Sequence, residues 1–405
     1  MSTLKTSILI TKGGFLVGVI LFFVYFTSYL IFTFLLTRYI TLSNEWLILF
    51  QASVHFVIAA TLIIASFFIQ RINKLHLIYT SSIAASIATI FFFFALNEFV
   101  RLAIILAVAI FFSMGLLASF TYFWGLTSPE ERGRVAGLTG FVFLPIYYIT
   151  VQVATGALDF LGIITLSAII ALIPLGIILL QPHKKVITSK NDSRVNYFEK
   201  RTLLFYLVPW LLFSLVNAIL AKNTSFSIAG QVSSSFYVLL VGLQVVGVIF
   251  GALIGGFVAD FFGRRLSLAL SLTLYGASSA FVGLIQNNSI FALVYVTNGL
   301  SWGFLLILYT FVVWGDLATK ENCAKLYAIG LAIYYSALGF GSLSTQITQI
   351  PLVITALASC FLIFIANIPI ILAPELLPAD FRDKIRLRFH MNAVKKIGKK
   401  AKNQG

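Results

Sequence analysis

Twelve times along this chain, twenty or more residues follow one another with scarcely a charge among them. A helix needs about 20 apolar residues to cross the hydrocarbon core of a bilayer, where every backbone N–H and C=O must be paired within the chain. The runs fall at 14–37, 46–70, 77–96, 101–126, 135–157, 159–180, 203–222, 231–259, 266–286, 290–315, 326–349 and 351–373. Gly156, Asp159 and Pro351 supply the breaks at the two tightest junctions. Only 10% of the residues are charged and 60% are hydrophobic, against roughly 25% charged in soluble globular chains. Too little polar surface is left to coat a particle in water. The fold class implied is an all-α polytopic membrane protein of twelve transmembrane helices. The first run is too long for a signal-peptide core and has no small-residue cleavage site, so it reads as an uncleaved span.

Basic residues orient the spans. With the N-terminus in the cytoplasm, the inner segments hold Lys5 and Lys12; Arg71 and Lys74; Arg132 and Arg134; six residues in 181–202; Arg264 and Arg265; Lys320 and Lys325; and nine in the tail, 25 of the 28 Lys and Arg. Only Arg38, Arg101 and Lys222 fall outside. The positive-inside rule therefore supports both the number of spans and a cell-membrane orientation with both termini cytoplasmic. One missed helix would scramble the alternation.

Other classes find no support. Cys323 lies in a predicted loop and Cys360 inside a span, so a disulfide between them is geometrically implausible. The histidines 55, 76, 183 and 390 show no paired metal spacing. No P-loop, zinc-protease or nucleophile-elbow pattern occurs. The expectation is no enzyme, no catalytic residue, no metal and no cofactor. The net charge of +15 does not imply nucleic acid, because fifteen basic residues lie in the 181–202 segment and the tail after 374, which are too short to build a basic folded surface.

The polar stretch 181–202, QPHKKVITSKNDSRVNYFEKRT, divides the chain into a bundle at 1–180, a cytoplasmic linker, a bundle at 203–373 and a basic tail at 374–405. The halves show weak register at a shift of 190 residues: Trp124-Gly125 falls on Trp314-Gly315, and the loop at 70–74 falls on 260–264. That second loop reads GGFVADFFGRR at 255–265. Gly256, Ala259, Asp260, Gly263, Arg264 and Arg265 resemble the G-x-L-A-D-R-x-G-R-[KR] signature of the major facilitator superfamily. PEERGRVAG (129–137) is similar to that family's arginine-bearing second inner loop, and APELLP (373–378) to its frequent ending after the last helix. Phe261 departs from the signature, where a basic residue is usual; so does the first-half loop, with Gln70 for the acid and Asn73 for the glycine. The resemblance implies two pseudo-symmetric six-helix bundles that move a solute by alternating access.

Asp260 ends span 8, where the dipole of its own helix is negative, so it needs an outside partner: Arg264, or the positive N-terminus of a neighbouring helix. The resemblance implies that this neighbour is span 11, beginning near Lys325. Gly263 permits the tight turn, and the arginines also anchor the loop at the inner lipid surface. Gly256, Asp260, Gly263, Arg264, Arg265, Arg71, Lys74, Arg132 and Arg134 are expected to form a gating layer; a plain positive-inside anchor is the other reading. Gly247, Gly251, Gly255 and Ala259 recur every fourth residue and predict a close-packed, sliding helix seam.

By resemblance, spans 1, 4, 7 and 10 line a cavity near the bilayer midplane. At helical spacing they offer Tyr25, Ser28 and Tyr29; Ser113 and Phe120; Trp210, Ser214 and Asn217; Asn298, Trp302 and Tyr309. Tyr148 and Gln152 on span 5 and Gln244 on span 8 are further candidates, although aromatic residues near helix ends also serve as interfacial belts. No Asp, Glu, Lys or Arg falls well inside a predicted span, which argues against a strongly charged solute. His55 in span 2 is the one deeply embedded ionisable group, a proton site or a satisfied packing residue.

The function expected is a secondary active or facilitative transporter of a small neutral or amphipathic organic solute, by symport or uniport. A sugar-like metabolite is favoured slightly by the Asp-x-x-Gly-Arg-Arg loop. A drug exporter is favoured by the aromatic richness but lacks the clustered Gly-Pro pattern in span 5. A receptor or scaffold of the same fold would be favoured by a large soluble appendage. Expected partners are the solute, a coupled proton or other cation, and membrane lipid. The tail, with Phe381, Ile385 and Phe389 on one side, would meet anionic inner-leaflet lipid. A monomer is expected. The sequons at Asn223 and Asn287 fall on the predicted outside, and a third at Asn191 on the inside.

Overall fold

The structure, a computed structural model, describes residues 43–95, 97–156, 200–344 and 350–377. Every regular element among them is helical, as a backbone immersed in hydrocarbon requires. Four helices come first: α1 (Asn44–Phe68), α2 (Lys74–Phe94), α3 (Glu98–Leu126) and α4 (Arg132–Gly156). Six more complete the second half: α5 (Arg201–Ala229), α6 (Ser234–Phe262), α7 (Arg264–Leu284), α8 (Asn288–Leu317), α9 (Cys323–Leu343) and α10 (Leu352–Leu372). They correspond to predicted spans 2–5 and 7–12. Spans 1 and 6, the linker up to residue 199, and the tail from 378 lie outside the described residues. Among the described residues nine helices are long and apolar enough to cross a membrane.

Short polar caps start these helices. Asn73, Asn97, Ser233 and Asn287 each accept a backbone N–H from the first turn of the helix they precede, which satisfies donors a helix start leaves open. Between α6 and α7 stands one residue, Gly263, at φ +109°, a conformation that suits glycine. The large apolar side chains of α10, among them Phe361, Ile368 and Leu372, are exposed on the surface that faces lipid.

Two helices differ from their predicted lengths. The predicted span 203–222 continues to Ala229, with a π-helical turn at Val216–Ala221. Lys222 therefore lies within a helix and not in an outer loop, and the Asn223 sequon is helical too. A second π turn, Leu308–Val312, lies in α8. Each inserts one extra residue per turn and so turns the faces beyond it.

Glycine decides how the helices meet. A Cβ on Gly247 would come 2.6 Å from the Val296 carbonyl, and Cβ atoms on Gly251 and Gly255 would collide with the backbone at Leu300 and Phe304. Gly299 and Gly303 return the contact. The Gly247–Gly251–Gly255 seam thus packs α6 against α8 of its own half. The next face of α6 meets α4 of the first half, where Ala252 and Gly256 lie against Gly133 and Gly137. A Cβ on Gly137 would lie 2.8 Å from the Ala252 carbonyl. A second contact between the halves joins α1 to α9, where Phe56 packs edge-on against Phe340 at 5.2 Å.

Gly251→Val, which sets a branched side chain into the Leu300 backbone, is expected to lower the thermal midpoint of the detergent-solubilised protein, at a cost of about 1–3 kcal/mol or more. Gly242→Ala on the same helix, with nothing within 4 Å, should leave it unchanged. Equal midpoints for the two variants would refute the close approach of α6 to α8.

Candidate functional site

All the described loops that carry basic residues in pairs meet at one end of the bundle. Of the twelve described Lys and Arg, only Arg101 and Lys222 lie elsewhere. At the centre of this basic end Asp260, at the C-terminal end of α6, is buried at 0% exposure. Its carboxylate accepts the backbone N–H groups of Gly133 (3.0 Å) and Arg134 (2.7 Å) at the start of α4. The Arg134 guanidinium adds an ion pair at 3.0 Å, and Arg264 pairs with the other carboxylate oxygen. The positive helix end that the carboxylate needs is thus α4 of the opposite half. The expected neighbour, span 11, is not the one used, because the glycine face of α6 places Asp260 on α4 while α9 packs on α1.

A second carboxylate completes the junction. Asp316 in the last turn of α8 pairs with Arg132 of α4 and, at 2.9 Å, with Arg264. Arg264 also donates to the Pro129 carbonyl, and Arg132 to Thr127, whose hydroxyl it reaches at 3.2 Å. Trp124 donates from its indole to the Gly315 carbonyl at 2.8 Å. Outside this layer, Glu375 accepts the backbone N–H groups of Arg264 (2.7 Å) and Arg265 (3.2 Å), which fastens the segment after α10 to the α6–α7 turn. Asp316 was not a sequence candidate. Its signal was available: it is the single acid between Asp260 and Glu321, and it directly follows the repeated Trp-Gly pair.

Of the other residues expected in this layer, Arg71 is exposed and Lys74 partly buried, and no ion pair joins either to the cluster. Gln70, the pseudo-equivalent of Asp260, donates to the Glu321 carbonyl just before α9. The contact at Asp260 is therefore charged, and the one at Gln70 is neutral.

Behind the ions lies an aromatic layer. Phe311, presented by the π turn of α8, meets Phe120 and Phe123 of α3 at 5.0 Å each. Tyr327 of α9 stacks on Phe120 at 5.5 Å and donates to the Phe311 carbonyl at 2.8 Å. Trp210 stacks on Tyr309 at 4.5 Å and donates to the Gly330 carbonyl at 2.7 Å. Phe120, Trp210 and Tyr309 are thus packed at 4% exposure or less. Ser113 is buried with its hydroxyl on the Ala109 carbonyl of its own helix at 2.6 Å. The Ser214 and Tyr309 hydroxyls are buried with no partner among the described residues.

The remaining candidates assemble elsewhere. A cavity of about 220 Å³ lies within the second half, lined by Asn217, Lys222, Ser225, Gln244, Tyr275 and Asn298, among others. Gln244 donates to the Asn298 carbonyl oxygen at 3.2 Å. Asn217 accepts from the Trp302 indole at 2.9 Å and from the Tyr275 hydroxyl at 3.5 Å. Its own amide N–H groups have no partner among the described residues and are available as donors. Gln244 and Asn298 each stand ten residues into their helices, about 15 Å by helical rise and so near the middle of a bilayer core. The sequence candidates divide by chemistry, with the amides at the cavity, the Trp302 indole bonded to one of them, and large aromatics in the seal.

Tyr148 is partly buried beside Tyr147, at 5.5 Å. His55 lies 2.7 Å through Nδ1 from the Gln51 carbonyl, an acceptor that fixes the proton on that nitrogen. It is within electrostatic reach of Lys222 in the other half. Tyr25, Ser28, Tyr29 and the Gln152 side chain lie outside the described residues.

Residues 178–326 match the family model described as Sugar (and other) transporter. The fold is similar to FucP, described as a major facilitator superfamily transporter in the outward conformation: TM-score 0.66, 14% identity, covering 88% of this chain and 98% of that one. It is similar to the proton:xylose symporter XylE bound to 6-bromo-6-deoxy-D-glucose, with TM-score 0.67, 11% identity and 90% and 96% covered. A bacterial homologue of the iron transporter ferroportin, in an outward-facing state, gives TM-score 0.66 at 14% identity, with 90% and 99% covered. No curated protein matches the sequence significantly.

Removing one partner of a buried pair leaves the other charge uncompensated, at a cost of about 3–5 kcal/mol. Asp260→Asn should therefore open the basic end. Cys323, 3% exposed behind the junction, reports on this in a Cys360→Ser background. Its labelling by a small maleimide is expected to rise at least tenfold in Asp260→Asn and in Asp316→Asn. An unchanged labelling rate in both variants would show that the ion cluster does not hold this end closed.

Proposed function

We propose that this chain, a multi-pass membrane protein with the fold of the major facilitator superfamily, is a secondary transporter that moves a small hydroxylated organic solute by alternating access. The observation that carries the reading is the charged junction between halves together with a polar cavity at mid-depth. One end is shut by contacts that the two halves share, while the described lining of the solute-sized space comes from the second half. A rocking motion that separates α4 from α6 would break the junction without dismantling the cavity.

The basic end is cytoplasmic in this reading, because positive residues are retained on that side. The arrangement then represents a state closed to the cytoplasm, in keeping with the outward conformations of FucP and the ferroportin homologue. Amide and hydroxyl groups at the cavity suit the ring or chain hydroxyls of a sugar-like metabolite. The aromatic seal at Phe120, Trp210 and Tyr309 is separate from the cavity, whose own aromatic residues are Tyr275 and Tyr295.

The named residues divide into two roles. Asn217, Gln244 and Asn298 orient the solute by hydrogen bonds, and Trp302 holds the Asn217 amide in place. Asp260, Arg264, Asp316, Arg132 and Arg134 set the population of the closed state, since a solute shifts such an equilibrium only by binding one state better than the other.

Counterflow into proteoliposomes tests the reading with a panel of radiolabelled sugars, polyols and hydroxy acids. At least one should enter saturably, and Asn217→Ala and Asn298→Ala should each lower that rate about tenfold at unchanged protein level, the size of a lost hydrogen bond of about 1.4 kcal/mol. Rates equal to protein-free vesicles across the panel would overturn it.

A further inference from the structure

We propose that the cavity takes a solute with one negative charge, a small hydroxylated carboxylate, and that Lys222 is the residue that reads the charge. This rests on the transporter reading and narrows its substrate class. The helix that carries Lys222 continues seven residues beyond it, to Ala229, so the residue stands within a helical span, with its side chain exposed at the cavity it lines. The π turn Val216–Ala221 ends immediately before it, and the extra residue in that turn re-aims the side chains beyond it. As a result Asn217, Ala221, Lys222 and Ser225 line one cavity.

The charge has no local answer. No carboxylate lines the cavity, and among the described residues no ion pair includes Lys222. A cation within a membrane span is costly and is typically found where it pairs or serves a solute path. Among the described residues the polar groups that line the cavity with it are neutral, among them the amides of Asn217, Gln244 and Asn298 and the hydroxyls of Tyr275 and Ser225. A carboxylate would gain a charge-assisted bond from the ammonium, and its hydroxyl groups would meet the amides. A second negative charge would meet no cation. The size agrees as well. A cavity of about 150 Å³ holds benzene, so about 220 Å³ suits roughly six to ten non-hydrogen atoms.

Isothermal titration of the full-length protein in nanodiscs tests this with threonate and glycerate against their neutral counterparts threitol and glycerol. The acids are expected to bind at least tenfold more tightly than the neutral partners. Lys222→Gln should abolish that difference and Lys222→Arg preserve it, with the thermal midpoint held in both. Equal affinity of acid and polyol, no binding by either acid, or an unaltered preference in Lys222→Gln would overturn the assignment; Lys222 would then be a side chain that reaches to the membrane surface. Tighter binding of glycerol 3-phosphate than of glycerate would overturn the single-charge class. Flux separates the two readings. Saturable entry of a neutral polyol, unaltered in Lys222→Gln, sinks the anion assignment and leaves transport standing, whereas acid binding without flux does the reverse.

Discussion

A carboxylate buried between two helix bundles is the interaction on which the described structure turns. Asp260 would be prohibitively costly in this position without partners, since the effective penalty for burying an ion is several kcal/mol even after relaxation. It has four: two backbone N–H groups at a helix start and two guanidinium groups. The backbone pair is possible only because α4 comes very close. A Cβ on Gly133 would collide with the Asp260 carboxylate, and one on Gly256 with the Gly133 carbonyl. Glycine on both helices is therefore a condition for the ionic contact, not a separate feature of packing.

The two layers at the basic end depend on each other. The aromatic contacts of Phe120, Phe123, Phe311 and Tyr327 exclude water behind the ions, which strengthens every charge interaction in front of them. In the proposed opening, water would reach the ions and offset much of the lost pairing. An ionic junction is thus easier to reopen than an apolar surface of equal contact strength, a property suited to a closure that must reverse. The neutral Gln70–Glu321 contact adds a second tie at this end with no charge to rehydrate.

The cavity obeys a different logic. Its described lining comes from the second half, so in the proposed rocking motion these polar groups would stay fixed relative to one another. The π turn in α5 is what admits a polar face there. Regular α-helical register would carry Asn217 and Lys222 to different sides of the helix, and the wider turn brings both to the same space. The Asn217–Trp302 and Gln244–Asn298 bonds hold the amides in place with little freedom to lose on binding.

The helical membrane architecture was legible in the sequence because lipid imposes one rule on every span: about twenty apolar residues, with charges kept to the ends. The same rule made the basic end visible, and the Gly-x-x-Ala-Asp-x-x-Gly-Arg-Arg loop marked Asp260 and Arg264 as unusual before any contact was known. Sequence periodicity could not decide which helix each face would meet. The Gly247–Gly251–Gly255 row and the adjacent Ala252–Gly256 row look alike as spacing, yet one packs within a half and the other between halves. Asp316 and Arg132, 184 residues apart, become partners only when the bundles dock. Lys222 changed from an outer-loop charge to a cavity residue because a π turn and two further helical turns are set by tertiary packing, and no local pattern of polar and apolar residues encodes them.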